Sequence, residues 1–378
     1  MATNWPCADW SPGWQAVAEP QHARQAALVE LLVGSNLDGI LVTSLPNIRY
    51  LTGFSGSNAL FLVMPRESWF LTDFRYESQV AEEVVGATRV IIEKTSLWKG
   101  LWRELGERGG TAAFGFESAH LTHSDFERLK DDGARFVWRP TVDLVEGLRA
   151  SKEHVEVESI RLAGVIATSA LERTFSQLRS GLSENEVAGL LEHNLRDAGS
   201  EGFPFGTIAA SGPRTALPHA RAGSRPIAPG DFVLLDFGAV YKGYCADVTR
   251  TVVVGRATER QREVYGAVQE ANERARALIS PGMTGQQADA IARDALTARG
   301  FGEAFGHGLG HGLGIEVHEA PRLSRVAEGS LPEGAVVTIE PGVYLPGWGG
   351  VRIEDNVHLT AGGAELLTDF PRDLIELD

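Results

Sequence analysis

Apolar positions in this chain change period along its length. From Gln21 onward Ala27, Leu28, Leu31 and Leu32, with Arg24 one turn earlier, follow helical spacing. Short apolar runs at 39–43, 59–63 and 69–72 then stand between turn residues, as strands do. Helix-like and strand-like pieces alternate as far as Val137 and Trp138, which predicts a complete small α/β domain over residues 21–150. The preceding residues 1–20 hold Trp and Pro without a period and read as an irregular extension. After a boundary near Arg149–Lys152, residues 153 to about 178 predict one long amphipathic helix, with Glu153, Glu156 and Glu158 on a solvated face.

Residues 151–378 form the second domain and carry a diverged internal repeat. Ser183 and Glu186 have capping-box spacing at a helix start and Gly199 closes that helix; Thr284, Gln287 and Gly300 repeat the pattern 101 positions later. The segment 229–236, ending in Asp236, has its counterpart in 332–340, ending in Glu340, and His219 has one in His318. Two copies of a helix-plus-hairpin unit about a pseudo-twofold axis would each bring an acidic strand to one central site.

The acidic positions are Asp236 and Asp247 in the first copy and Glu340 and Glu354 in the second, with His311 between. Residues 233–254 read as two strands joined at Tyr241-Lys242-Gly243, so that 236 and 247 project from one face. A period of two in 351–355 puts Arg352 beside Glu354, away from Ile353 and Asp355. The glycine-rich stretch 305–314 reads as a loop or extended piece that lets backbone approach the ligands. Four carboxylates and an imidazole are what two hard divalent cations require, and the chain reads as a metallohydrolase. Singly, each residue has a plainer reading as a solvated turn residue, a strand end or a cross-face ion pair; the argument rests on the joint pattern.

Composition narrows the classes. At 378 residues and 43% hydrophobic the chain suits two globular domains. A formal charge of −15 argues against a nucleic-acid partner. Two cysteines, Cys7 and Cys245, form no disulfide framework and point to a reducing cytoplasm. No basic leader and no run of about 18 apolar residues are found, which argues against secretion and membrane insertion.

LDFG around Asp236, DVTRT from Asp247, HGLGHGLGIEVHE from His307, IEPG around Glu340 and VRIED ending in Glu354 and Asp355 resemble the five blocks of the pita-bread metallopeptidases. Within that group the chain is similar to the Xaa-Pro peptidases, the prolidases and aminopeptidases P, over roughly residues 151–370. The resemblance implies an α+β architecture: a pita-bread catalytic domain with duplicated halves, preceded by a smaller α/β domain. It implies that Asp236 chelates the first metal, that His311 and Glu340 bind the second, and that Asp247 and Glu354 bridge. It also implies that His219 and His318 stabilise the carbonyl and tetrahedral intermediate, that His307 lines the substrate pocket, and that Arg352 contacts substrate or holds the ligand shell. A trans Xaa-Pro bond as substrate and a homodimer follow from the resemblance alone.

The chemistry is consistent with these roles. Two cations about 3.5–4 Å apart hold a bridging hydroxide near neutral pH, the expected nucleophile. Glu340 is the expected proton shuttle to the leaving proline nitrogen. Imidazole donors at His219 and His318 are each worth roughly 3–4 kcal/mol. Oxygen ligands suit Mn²⁺, while Co²⁺, Zn²⁺ and Fe²⁺ would also bind. A dipeptidase needs a cation for the free proline carboxylate, and Arg49, in a segment resembling the family's substrate-facing loop, is the candidate. The alternatives are aminopeptidase P on longer Xaa-Pro peptides, a metal-free creatinase-like amidinohydrolase and a non-catalytic peptide-binding module. Methionine aminopeptidase is disfavoured by the extra N-terminal domain.

Overall fold

The computed structural model describes residues 20–107 and 111–378, and the chain divides after Leu148 into two compact units. The extension expected over residues 1–20, Cys7 included, lies outside the described residues except for Pro20, which opens the first helix.

In the N-terminal unit the elements are α1 (Pro20–Gly34), β1 (Gly39–Val42), α2 (Leu45–Thr52), β2 (Ala59–Val63), β3 (Ser68–Asp73), α3 (Glu77–Glu83), β4 (Arg89–Glu93), α4 (Leu97–Glu107), β5 (Ala113–Glu117), α5 (His123–Asp131), β6 (Val137–Thr141) and α6 (Leu144–Arg149). The strands form one mixed sheet in the order β4-β3-β2-β1-β5-β6. Strands β1 to β3 are antiparallel neighbours, while β4, β5 and β6 each join parallel. Every residue of the central strands β1 and β2 is buried, which is why they read as unbroken apolar runs. One expectation is corrected here. The segment carrying Arg49 is not a loop but helix α2, because Pro46 suits its first turn and the Glu117 carboxylate accepts the N–H groups of Thr43 and Ser44 at 2.6 and 2.8 Å, satisfying the helix start.

The C-terminal unit contains α7 (His154–Phe175), α8 (Glu184–Asp197), β7 (Ile208–Ser211), β8 (Phe232–Tyr241), β9 (Tyr244–Val254), α9 (Glu259–Leu278), α10 (Gly285–Ala298), β10 (Gly310–Gly312), β11 (Glu319–Leu323), β12 (Val336–Ile339), β13 (Gly342–Leu345), β14 (Gly349–Arg352), β15 (Asp355–Thr360), β16 (Gly363–Leu366) and β17 (Glu376–Leu377). The repeat is present in full. Both α8 and α10 start on complete capping boxes, Ser183 with Glu186 and Thr284 with Gln287, and both run 14 residues. The turn before each is tied to its own half by a reciprocal pair of backbone bonds, Gly181 N–H to Ile227 O and Ile227 N–H to Leu182 O at 2.8 Å each, and Gly282 N–H to Leu331 O at 2.9 Å with Leu331 N–H to Met283 O at 2.8 Å.

Two sheets result, β17-β9-β8-β7 and β11-β10-β12-β15-β16, with β13 and β14 as a separate ribbon. Alternation assigns their faces. Val233, Leu235, Phe237 and Ala239 of β8 pack with Leu171, Leu191 and Leu195 of α7 and α8. Val337 and Ile339 of β12 pack with Val268 and Ala292 of α9 and α10. The opposite faces meet through polar groups. Asp247 N–H donates to Asn356 Oδ1 at 3.0 Å, Asn356 Nδ2 donates to Asp247 O at 2.7 Å, and the Thr251 hydroxyl donates to Arg352 O at 3.0 Å. Helices thus cover the outer faces and a polar seam joins the inner ones, which is the α+β pita-bread arrangement.

Two local expectations are revised, and a third, the extended reading of the glycine-rich stretch, holds. The VRIED segment is not one strand: β14 ends at Arg352 and β15 begins at Asp355 in a different sheet, because Glu354 N–H bonds across the seam to Thr249 O at 3.1 Å. Its side chains still alternate, with Ile353 in the core beneath α9. Glu156 is not solvated; it is 2% exposed, completes a capping box with Glu153 and accepts from Tyr244 OH at 2.9 Å. The glycine-rich stretch includes the short strand β10, whose neighbours press on it. A Cβ at Gly310 would lie 2.0 Å from Thr338 O, and one at Gly312 would lie 2.0 Å from Ala320 O. Gly310→Ala is therefore expected to cost about 1–3 kcal/mol in chemical denaturation. Gly306→Ala, where nothing lies within 4 Å, should stay within about 0.5 kcal/mol.

Candidate metal centre

The hairpin of β8 and β9 turns on Lys242 and Gly243, both with positive φ (49° and 74°), a two-residue connection that fixes the register. Asp236 pairs with Thr249 and Asp247 with Gly238, so the two aspartates share the inner face. Across the seam, β12 ends at Ile339 and delivers Glu340, β10 carries His311, and Glu354 fills the step from β14 to β15. These five side chains and His219, His307, His318 and Arg352 all line one cavity of about 720 Å³. Ligand atoms of Asp247, His311 and Glu354 lie within 4.8 Å of one another. Arg49 belongs to the N-terminal unit, on α2, half-buried.

The electrostatics of this cluster are unbalanced. Burial and the neighbouring Asp236 and Glu340 push the Asp247 carboxyl well above its usual range. Burial, then Asp247 and Glu340, do the same to Glu354, although the Thr249 hydroxyl donates to its Oε2 at 2.6 Å. Burial raises Glu340 to about 8, with Arg352 opposing and Asp236 adding. One cation is buried among them, Arg352, and its guanidinium is already committed. It donates from NH2 to Asp236 Oδ2 at 2.5 Å, from NH1 to Tyr344 OH at 2.7 Å and Pro218 O at 3.3 Å, and from Nε to Thr249 Oγ1 at 3.1 Å. With four of five donors in use, it is arranged to hold Asp236 and the ligand shell rather than a substrate.

The histidines differ in state. His311 Nδ1 faces the carbonyl of Gly312 at 3.0 Å and must carry a proton there. Burial lowers its pKa to about 4, so Nε2 presents a bare lone pair, 3.5 Å from Glu340 Oε1 and 3.8 Å from Asp247 Oδ2. His307 is likewise lowered to about 4 by burial; its Nδ1 faces Gly308 O at 2.8 Å and its Nε2 faces Tyr344 OH at 2.9 Å. Because the Tyr344 oxygen accepts a hydrogen bond from Arg352, its own hydroxyl donates to His307 Nε2. Donation therefore runs outward from Arg352, to Asp236 on one side and through Tyr344 to His307 on the other. The His318 ring meets the His311 ring edge-on at 4.3 Å and burial lowers its pKa. His219 is exposed at the cavity wall, free to turn toward an occupant.

These residues fit divalent cations. Asp247 Oδ1 is buried without a hydrogen-bond partner, and a lone pair and several carboxylate oxygens converge where a donor is needed. Hard oxygen donors with one imidazole suit such ions, and the Nδ1–H to carbonyl bond of His311 orients the ligating nitrogen. Behind the ligands, Arg250 is 1% exposed and holds Glu354 O at 2.6 Å and Asp355 Oδ1 at 2.8 Å. Burial opposes charge on Asp355, but Arg250 and Arg372 outweigh it and keep the carboxyl below its usual range.

Several residues were not found by sequence reasoning: Tyr344, Thr249, Asn356, Arg250 and Arg322. The last lies on β11 in the cavity wall, and its guanidinium has no hydrogen-bond or ion-pair partner among the described residues. No periodicity marks these positions; only Arg322 carries a signal, standing 101 residues after Arg221 in the repeat.

Residues 158–361 match metallopeptidase family M24, and residues 24–151 match the creatinase/prolidase N-terminal domain. The chain is 37% identical over 348 residues to a Xaa-Pro dipeptidase of Pyrococcus horikoshii, covering 92% of this chain and 97% of that one. Among solved structures it is similar to a Xaa-Pro dipeptidase from Bacillus anthracis (TM-score 0.90, 40% identity, 94% and 100% of the two chains). It is also similar to an X-Pro aminopeptidase from Thermotoga maritima (TM-score 0.85, 35% identity, 93% and 99%). The chain belongs to metallopeptidase family M24, and the metal it holds is a divalent cation. No helix among the described residues is long and apolar enough to cross a membrane.

Raised carboxyl pKa values mean that the metal-free cluster retains protons that a cation must displace. Apparent Mn²⁺ affinity should therefore rise with pH up to about 8, the Glu340 value, with proton release on binding. Titration calorimetry in buffers of different ionisation heat checks this; a pH-independent affinity with no proton release contradicts it.

Proposed function

We propose that this chain is a Xaa-Pro dipeptidase, hydrolysing the bond between an N-terminal residue and a C-terminal proline with two divalent cations per chain. The observation that carries the reading is the buried, unpartnered Asp247 Oδ1 set among Glu340, Glu354 and the His311 lone pair. Asp236, Asp247, His311, Glu340 and Glu354 would hold the ions, and their oxygen-rich set suits Mn²⁺, while Co²⁺, Zn²⁺ and Fe²⁺ would also bind. When bound, such a pair lowers the pKa of water and polarises a carbonyl, supplying a nucleophile near neutral pH.

The protein's own groups complete the reaction. Glu340, at the cavity wall, takes the proton of the attacking water and passes it to the proline nitrogen as the amide breaks. His219 and His318 donate hydrogen bonds to the carbonyl oxygen as it gains charge. His307, fixed by Tyr344, shapes the wall beside them. The free proline carboxylate calls for a guanidinium. Arg49 is the candidate from sequence, and Arg322, which lines the cavity without a partner among the described residues, is a second. The proposal extends to a homodimer in a reducing cytoplasm, the reading that only two cysteines in the chain suggest.

With Mn²⁺ present, Ala-Pro should be hydrolysed with higher kcat/KM than Ala-Pro-Ala; the reverse order supports the aminopeptidase P alternative instead. Arg322→Ala should raise KM for Ala-Pro by roughly tenfold or more, and Arg49→Ala tests the same role. Unchanged KM in both variants would contradict carboxylate recognition by either.

A further inference from the structure

Two guanidiniums, not one, line the cavity without partners. Arg221 follows His219 by two residues, and Arg322 follows His318 by four. The two arginines stand 101 positions apart, the same offset that separates the starts of α8 and α10 at Glu184 and Gly285. Both are exposed, and neither side chain has a hydrogen-bond or ion-pair partner among the described residues. In a chain of net charge −15, two unpaired guanidiniums on this wall stand out as partners for an anionic group of an occupant.

The backbone at Arg221 is held in place, unlike that of a loose surface loop. Glu184, 1% exposed, accepts from Ser211 N–H and hydroxyl at 2.9 Å each, from Gly223 N–H at 3.0 Å and from Arg214 Nε at 3.0 Å. Arg214 then donates from NH2 to Arg221 O at 2.6 Å. The segment is pinned on both sides of Arg221 and at Arg221 itself. In the second half the position of Glu184 is Gly285, and a Cβ there would lie 2.0 Å from Arg322 O, so this carbonyl is held by close packing instead. In each half an arginine backbone is thus held near the start of the repeat helix, by hydrogen bonds in the first and by packing in the second.

A Xaa-Pro dipeptide has a terminal carboxylate on proline and, on the N-terminal residue, an amino group and a side chain. One arginine suffices for the terminal carboxylate. In a Xaa-Pro dipeptide a second carboxylate, where there is one, sits on the N-terminal side chain, and a second arginine on the wall is a partner for it. We infer that Arg221 forms a specificity subsite for an acidic residue, Asp or Glu, preceding the proline. This rests on the dipeptidase reading and deepens it.

The test compares Glu-Pro with its neutral isostere Gln-Pro, in wild-type protein loaded with Mn²⁺ and in Arg221→Ala and Arg221→Glu. The wild type should favour Glu-Pro in kcat/KM by roughly tenfold, the range of a charge-assisted hydrogen bond. Arg221→Ala should bring the ratio near one, and Arg221→Glu should shift preference to Lys-Pro. Equal turnover of Glu-Pro and Gln-Pro by the wild type, or a ratio unchanged by Arg221→Ala, overturns the subsite. Failure to cleave any Xaa-Pro dipeptide overturns the dipeptidase reading by itself. Equilibrium binding of Glu-Pro and Gln-Pro, which needs no turnover, then decides the subsite: a Glu-Pro preference lost in Arg221→Ala supports it, and equal affinities overturn it.

Discussion

Uncompensated negative charge in the seam between two sheets governs the rest of this structure. Asp247, Glu340 and Glu354 gather on the wall of one cavity, and the buried guanidinium of Arg352 beside them is committed to Asp236. Carboxylates so placed either keep their protons or acquire a cation. The first state leaves Asp247 Oδ1 without a partner; the second gives that oxygen a ligand and lets the carboxyls ionise. Metal binding is thereby coupled to the stability of the seam, since a ligand that binds only the folded chain stabilises it.

Around this centre the fold works as an apparatus for holding anions close. Outer faces of both sheets are apolar and locked to their helices, which leaves the inner faces free to be polar. Reciprocal bonds between Asp247 and Asn356 set the two sheets in register, and Arg250 with Asp355 fixes the main chain behind Glu354. Tyr344 and Arg352 carry the same rigidity to His307 and Asp236. Ligand geometry in a metal site depends on such supporting bonds.

Much of this was legible in the chain because it depends on local period or on duplication. The capping pairs at Ser183 and Thr284, the alternation in 233–254 and the acidic ends of matched strands are all sequence-local, and each describes what is observed. What escaped was set by pairing between distant segments. Glu156 has the pattern of a solvated residue until Tyr244 arrives from 88 positions away. Glu354 looks like mid-strand until Thr249 pulls its N–H across the seam. Asn47 to Thr52 resembled a loop because the group that caps α2 is Glu117, a strand away. Tyr344 carries no period at all; its meaning lies in the bonds it makes with Arg352 and His307.

Anomalous diffraction at the manganese edge, from crystals grown with Mn²⁺, tests the central claim most directly. Two peaks about 3.5–4 Å apart are expected, with His311 Nε2 and the oxygens of Asp236, Asp247, Glu340 and Glu354 as their ligands and Asp247 Oδ1 no longer unpartnered. Peaks absent from the cluster, or present only at other sites with these side chains unmoved, would contradict the account.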